Sequence, residues 1–170
     1  MVIKPEIALR DIITVIGFVV TIVTILLTYK QIKVSVKTAK GTFIKDIMDR
    51  FTTDEGIRKV FYLIEYDEFK YPDNNFHGSE IEKEIDSLLY FLDTIGALVK
   101  LDLISLSDVE IMHYEIKRVY SNQEIKKYFE FLDSWYEKNQ LSERPFSNFR
   151  WLAENMLKNR SLTAGVEQKG

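Results

Sequence analysis

From residue 12 to residue 29 the chain carries no charge, and its small or polar members, Thr14, Gly17, Thr21, Thr24 and Thr28, recur three, four, three and four residues apart. As a helix these 18 residues rise roughly 27 Å, near the thickness of a bilayer core. A buried strand usually runs 4 to 8 residues, and no Pro or long Gly break divides this run. The pattern therefore predicts a transmembrane helix over 12–29, behind a short N-terminus of residues 1–11. A cleaved secretory signal fits poorly, because L-L-T-Y-K-Q-I-K after the run offers no small-x-small cleavage site.

The same spacing predicts a partner. Lipid tails are as apolar as Leu, so membrane helices associate through close approach at small residues and through Ser and Thr hydrogen bonds. Thr14, Gly17, Thr21, Thr24 and Thr28 supply both on one stripe, and their 3.5-residue repeat predicts a left-handed crossing in a homo-oligomer. The competing reading is that each Thr hydroxyl bonds to its own helix backbone.

Beyond the run, Tyr29, Ile32, Val36, Ala39 and Phe43 continue an apolar seam, with Lys30, Lys33, Lys37 and Lys40 as a basic stripe beside it. One continuous helix from about residue 9 to 51 accounts for both stripes. Gly41 is its weak point, at about 1 kcal/mol relative to Ala. The lysines set topology: the side richer in Lys and Arg stays inside, which predicts an N-terminus outside and a cytoplasmic domain after residue 30. They are also suited to anionic lipid, at about 1 kcal/mol per charge near the surface. Residues 30–42 are thus read as a basic juxtamembrane helix.

Residues 43–160 show helical periodicity and no alternating run long enough for a sheet. Four S/T-x-x-E patterns predict helix starts at Thr52 with Glu55, Ser79 with Glu82, Ser107 with Glu110 and Ser121 with Glu124. A fifth start is expected at Pro145. Apolar faces follow each: Ile57, Val60, Phe61 and Ile64; Ile85, Leu88, Leu92, Ile95 and Val99; Val109, Met112, Ile116 and Val119; Ile125, Tyr128, Phe129, Leu132 and Trp135. The stripe between 81 and 99 is wide enough for a central helix, and Gly96 on it invites a close neighbour. The fold class is accordingly all-α, an antiparallel cytoplasmic bundle of about five to six helices. Residues 66–79 form the one long connection; Tyr66, Phe69, Tyr71 and Phe76 make it a candidate contact for an unknown cytoplasmic protein partner. Residues 161–170 lack periodicity and are expected to fray as a tail.

Composition changes the picture only by exclusion. The chain has 170 residues and no Cys, which removes a disulfide framework, a thiolate nucleophile and Cys-based metal sites. Residues 38–170 hold 18 basic and 24 acidic side chains, about −6, and a phosphate backbone is repelled by that balance, so nucleic acid is not the expected partner. Glu110 and His113 form one E-x-x-H unit, but the second unit that di-iron bundles need is missing. Asp46 with Asp49, Glu80 with Glu84, and Asp86 with Asp93 are paired at helical spacing, as magnesium-dependent helical hydrolases arrange carboxylates. Yet Asp86 and Asp93 project opposite the core stripe and read as solvated acids. No catalytic residue, metal site or cofactor is assigned.

The stretch L-L-Y-F-L-D-T-I-G-A-L-V-K-L-D-L-I-S-L-S-D-V, residues 88–109, resembles a segment of a family of uncharacterised bacterial and phage-associated proteins. These join one N-terminal membrane span to an all-helical cytoplasmic domain of unknown function. The shared elements are Tyr90 and Phe91, Ile95 and Gly96, and Leu103 and Ile104 before a Ser or Asp cap. Asp102 stands where the family often has Gly. The resemblance implies the layout and no activity.

Together these readings describe a single-pass protein of the inner or plasma membrane, with a cytoplasmic helical interaction or sensing module that self-associates through its membrane helix. Two alternatives are a membrane-perturbing effector of a phage-defence or exclusion system, which leakage on induction would reveal, and a membrane-tethered metal-dependent hydrolase, which requires acids converging in one cleft.

Overall fold

The computed structural model describes residues 5–71 and 76–167, with side chains from residue 11 to 158. All regular structure among these residues is helical. The chain divides into two compact units, Met1–Lys45 and Asp46–Gly170.

The first unit is made by helix α1, Pro5–Thr53, which also supplies the first residues of the second unit. Pro5 opens it, where a missing N–H costs nothing. Gly41 lies inside without ending it. From Asp11 the helix is long and apolar enough to cross a membrane, with mean hydropathy 2.5 in its best window and none of that window buried.

In the second unit, α2 (Glu55–Glu65), α3 (Glu80–Lys100), α4 (His113–Ser121), α5 (Gln123–Lys138) and α6 (Ser147–Glu167) follow, with two 3-10 turns between α3 and α4. The predicted helix count survives, but three of the predicted caps move. Thr52 stays within α1 because its hydroxyl bonds back to Met48 and Asp49 carbonyls; Asp54 breaks the helix and accepts from the Ile57 N–H at 3.0 Å. Ser105 with Asp108, not Ser107 with Glu110, forms the reciprocal cap, and it opens a 3-10 turn. Asn122 caps α5, taking the Glu124 and Ile125 N–H groups at 2.9 and 3.1 Å, while Ser121 closes α4. In two of the three a short Asp or Asn lies within two residues of the matched Ser or Thr, and these rank with the best caps. Ser79 does cap α3 through the Glu82 N–H. Its partner Glu82 reaches past it to the Gly78 N–H.

The start of α6 is capped from another helix. Asp93 of α3 accepts from the Asn148 and Phe149 N–H groups at 2.8 and 2.9 Å and from the Asn148 amide at 3.1 Å. Asp93 is therefore no solvated acid; it satisfies orphan donors at a helix N-terminus. One turn further along, Gly96 brings the two backbones together: a Cβ there would lie 2.3 Å from the Asn148 carbonyl oxygen. The expected close neighbour is thus α6, the most extensive partner of α3.

The core forms around α3, with Ile85, Leu88, Leu89, Leu92 and Ile95 buried alongside Ile57, Val60 and Ile64 of α2 and Phe149, Leu152 and Ala153 of α6. Phe51, from the end of α1, packs edge-on to Phe61 and stacks on Phe91. The predicted face of α5 holds through Phe129 and then fails: Leu132 is half-buried and Trp135 exposed, because the last turns of α5 outrun the core. α6 is helical to Glu167, and residues 168–170 of the expected tail lie outside the described structure. No Pro interrupts it, and a helix once nucleated adds one bond per residue.

Replacing Gly96 with Ala is expected to destabilise the second unit by about 1–3 kcal/mol, the usual cost of overpacking a rigid contact, because backbone rather than a side-chain tip must give way. Chemical denaturation of the full chain in detergent reads this; unchanged stability would mean the helices separate freely.

Candidate functional site

In the first unit Thr14, Gly17, Thr21, Thr24 and Thr28 are all exposed. The Thr21 hydroxyl donates to the Gly17 carbonyl and the Thr24 hydroxyl to the Val20 carbonyl, both at 2.8 Å. Two hydroxyls of the stripe are thus satisfied within their own helix, as membrane threonines often are. Their methyl groups and the bare Gly17 backbone still face outward. Around them lie Ile12, Ile13, Val15, Ile16, Phe18, Val19 and Val20, all more than half exposed. Such a continuous apolar cylinder in water opposes the hydrophobic effect along its whole length. Lys30, Lys33 and Lys37 are exposed beyond it, and Lys40 is half-buried and engaged.

In the second unit the connection after α2 turns its aromatic side chains inward. Phe69, Tyr71 and Phe76 are buried, leaving Tyr66, 68% exposed, as the one predicted contact residue that a partner reaches. The reason is an aromatic cluster: Tyr71 and Phe76 meet edge-on at 5.1 Å, and both pack against Tyr128 of α5. Residues 72–75 lie outside the described structure.

A polar chain runs through this cluster. Glu82 of α3 accepts from the Gly78 N–H, approaches the His77 Nδ1 at 2.9 Å and lies 3.4 Å from the Tyr128 hydroxyl. His77 Nε2 is 3.4 Å from the Tyr71 hydroxyl, and its ring rests on Phe131 at 4.3 Å. Tyr128 donates to Asp86 at 2.8 Å, and the Tyr71 N–H donates to Glu124 at 3.0 Å. Asp86 is therefore a half-buried acceptor, contrary to its expected solvation. Sequence reasoning missed this network, although a Tyr on a core face signals a polar partner for its hydroxyl.

The two carboxylates, one turn apart, are driven in opposite directions. Burial pushes Glu82 up, but the donors from Gly78, His77 and Tyr128 outweigh it and hold the carboxyl below its ordinary range. For Asp86, burial together with the Glu82 charge outweighs the Tyr128 hydrogen bond and raises the carboxyl. The Tyr128 hydroxyl is pushed far up by burial and by both acids. Carboxylates split in this way are a recognised acid–base arrangement. The Glu82, His77 and Tyr71 order also resembles a carboxylate–imidazole–hydroxyl relay. A relay needs an activated hydroxyl, however, and burial and the Glu82 charge raise Tyr71 instead. The arrangement latches the connection onto α3 and α5.

The remaining carboxylates are engaged separately. Glu80 meets Lys83 at 3.1 Å and Glu84 meets Lys59 at 2.8 Å. Glu110 lies 3.8 Å from the His113 ring. Among the described residues, no group of three or more His, Asp or Glu is arranged to hold a metal ion. At the end of α2, Arg118 donates to the Glu65 carbonyl at 2.6 Å and pairs with Asp67 at 2.9 Å, while the Tyr114 hydroxyl donates to the Glu65 carboxylate. No family model, curated protein or solved structure matches the chain.

The latch carries a pH signature. Glu82→Gln is expected to cost about 1–3 kcal/mol at pH 7, as loss of charged hydrogen bonds does. Because the folded value of Glu82 lies below its unfolded value near about 4.3, its contribution is complete above that pH and is lost as pH falls through the folded value. Wild type and variant should therefore converge in acid. Asp86 has the opposite sign: its raised carboxyl weakens the fold above the folded value, and this penalty is gone below the unfolded value near about 3.9. Asp86→Asn should be neutral to stabilising at pH 7 and lose that advantage in acid. Denaturant unfolding across pH checks both; equal, pH-independent losses would dismiss the split.

Proposed function

We propose that the chain is a single-pass, membrane-anchored interaction or sensing module. Residues 12–29 cross the bilayer, residues 30–42 form a basic juxtamembrane helix, and the helices of the second unit make an antiparallel cytoplasmic bundle that receives a partner. Copies associate through Thr14, Gly17, Thr21, Thr24 and Thr28.

The observation that carries the anchor is the exposure of α1. An uncharged run of 18 residues is kept wholly outside the packed core, whereas the core helix of a soluble protein would be mostly buried. The excess of lysines on its C-terminal side favours a cytoplasmic second unit. Intrahelical bonding of Thr21 and Thr24 leaves association to close packing at the stripe, which small residues permit. For the second unit, an acidic, helical domain whose polar groups are tied into packing favours binding over catalysis.

Two measurements on the full chain test this. The chain should remain in the membrane pellet after alkaline carbonate extraction, and recovery in the soluble fraction would remove the anchor. Single-Cys variants at the five stripe positions should crosslink in membranes well above variants at Val15, Val19 and Ile22, on a background free of native Cys. Equal crosslinking in both sets would leave a plain monomeric anchor.

A further inference from the structure

Between residues 29 and 43, α1 has passed the uncharged run and yet keeps an apolar seam. Tyr29, Ile32 and Val36 are each more than half exposed, and Ala39 is exposed too. Tyr29 and Val36 fall at a positions and Ile32 and Ala39 at d positions of one heptad frame, with β-branched residues at two of the four, as coiled coils use. We infer that this juxtamembrane segment pairs with a second copy of the chain as a short, parallel coiled coil. The inference rests on the membrane anchoring proposed above, which supplies the shared orientation.

Charge selects the orientation. In this frame Lys30 and Lys37 occupy b positions and Lys33 and Lys40 occupy e positions, while the g positions are Thr28, Ser35 and Thr42. A parallel pair sets each e residue against a g residue of the other helix, so lysines meet neutral hydroxyls. An antiparallel pair would set Lys33 and Lys40 against lysines of the other copy, at a repulsive cost. In the same frame Thr14, Thr21 and Thr28 fall at g positions and Gly17 and Thr24 at c positions, so the membrane stripe lies beside the a/d seam. On a straight helix the two stripes centre about 60° apart, within the roughly 100° width of one helix contact face.

The bilayer surface is the competing occupant, and helix continuity disfavours it. α1 is unbroken from Pro5 to Thr53. A helix that spans the bilayer and continues straight carries residues 30–43 about 20 Å onward along its axis, whereas lying on the lipid requires a break. Two heptads pair weakly when free, but two chains held in one membrane face each other at high effective concentration.

Oxidative crosslinking of full-length single-Cys variants in membranes tests the pair. Ile32→Cys, Val36→Cys and Ala39→Cys should form dimers about tenfold faster than Gln31→Cys, Val34→Cys and Lys37→Cys, since disulfide closure needs Cβ atoms about 3.8 Å apart. Adding Val36→Asp to Ile32→Cys should abolish the dimer while the chain stays in the membrane pellet. Uniform or absent crosslinking across the six sites would overturn the coiled coil. So would a dye on Val36→Cys that shifts to the blue when phosphatidylserine is added to the bilayer, with no dimer, which assigns the segment to lipid. Thr24→Cys run in parallel separates the two ideas: dimers at Thr24 without any at Ile32, Val36 or Ala39 overturn this pairing and spare the membrane stripe. Seam-confined dimers in the soluble fraction would uphold the pairing and sink the anchor.

Discussion

The second unit depends on one crossing, where α3 meets the start of α6. Two residues of α3, one turn apart, make it possible. Gly96 removes the side chain that would strike the Asn148 carbonyl, and Asp93 accepts the N–H groups that α6 cannot satisfy internally. Neither suffices alone: without the cap, close approach would bury orphan donors, and without the glycine the cap would be out of reach. Helix starts normally solve this problem with their own preceding residue. Here the solution comes from a residue some 55 positions away in sequence, so α6 has a capped start only once it is docked.

A second network fixes the long connection between α2 and α3. Tyr71 and Phe76 bury their rings against Tyr128, and the buried Tyr128 hydroxyl is answered by Glu82 and Asp86. Putting two carboxylates beside one hydroxyl is costly unless further donors arrive, and His77 and the Gly78 N–H provide them to Glu82. What at first sight resembles a catalytic relay is the means by which a 14-residue connection is held to the helices beneath it.

The first unit presents the opposite situation. Its helix meets its backbone requirements internally, and Thr21 and Thr24 return their hydroxyls to it as well. Along residues 12–29 the large unmet requirement is the apolar surface. In the reading proposed above, a bilayer answers that requirement along the uncharged run, and a second copy answers it at the stripe within the run and at the seam beyond it.

The sequence alone determined what depends on neighbours within a turn or two. Uncharged length revealed α1, helical periodicity revealed the faces of α2, α3 and α4, and Ser79 marked a true cap, because periodicity and capping are local physics. Gly96 was legible as a place of close approach, since a glycine on a core face has few other uses. Which of two adjacent cap candidates prevails was only partly legible: Asp54 and Asn122 displaced Thr52 and Ser121 by one or two residues. Tertiary structure decided the rest. Asp86 and Asp93 sit on the outer face of an isolated α3, and only the arrival of Tyr128 and of α6 turns them into half-buried acceptors. Phe69, Tyr71 and Phe76 have no helical period to show which way they face, and the pocket that takes them is built by α3 and α5. Contacts across such sequence distances are fixed by packing, and no local pattern encodes them.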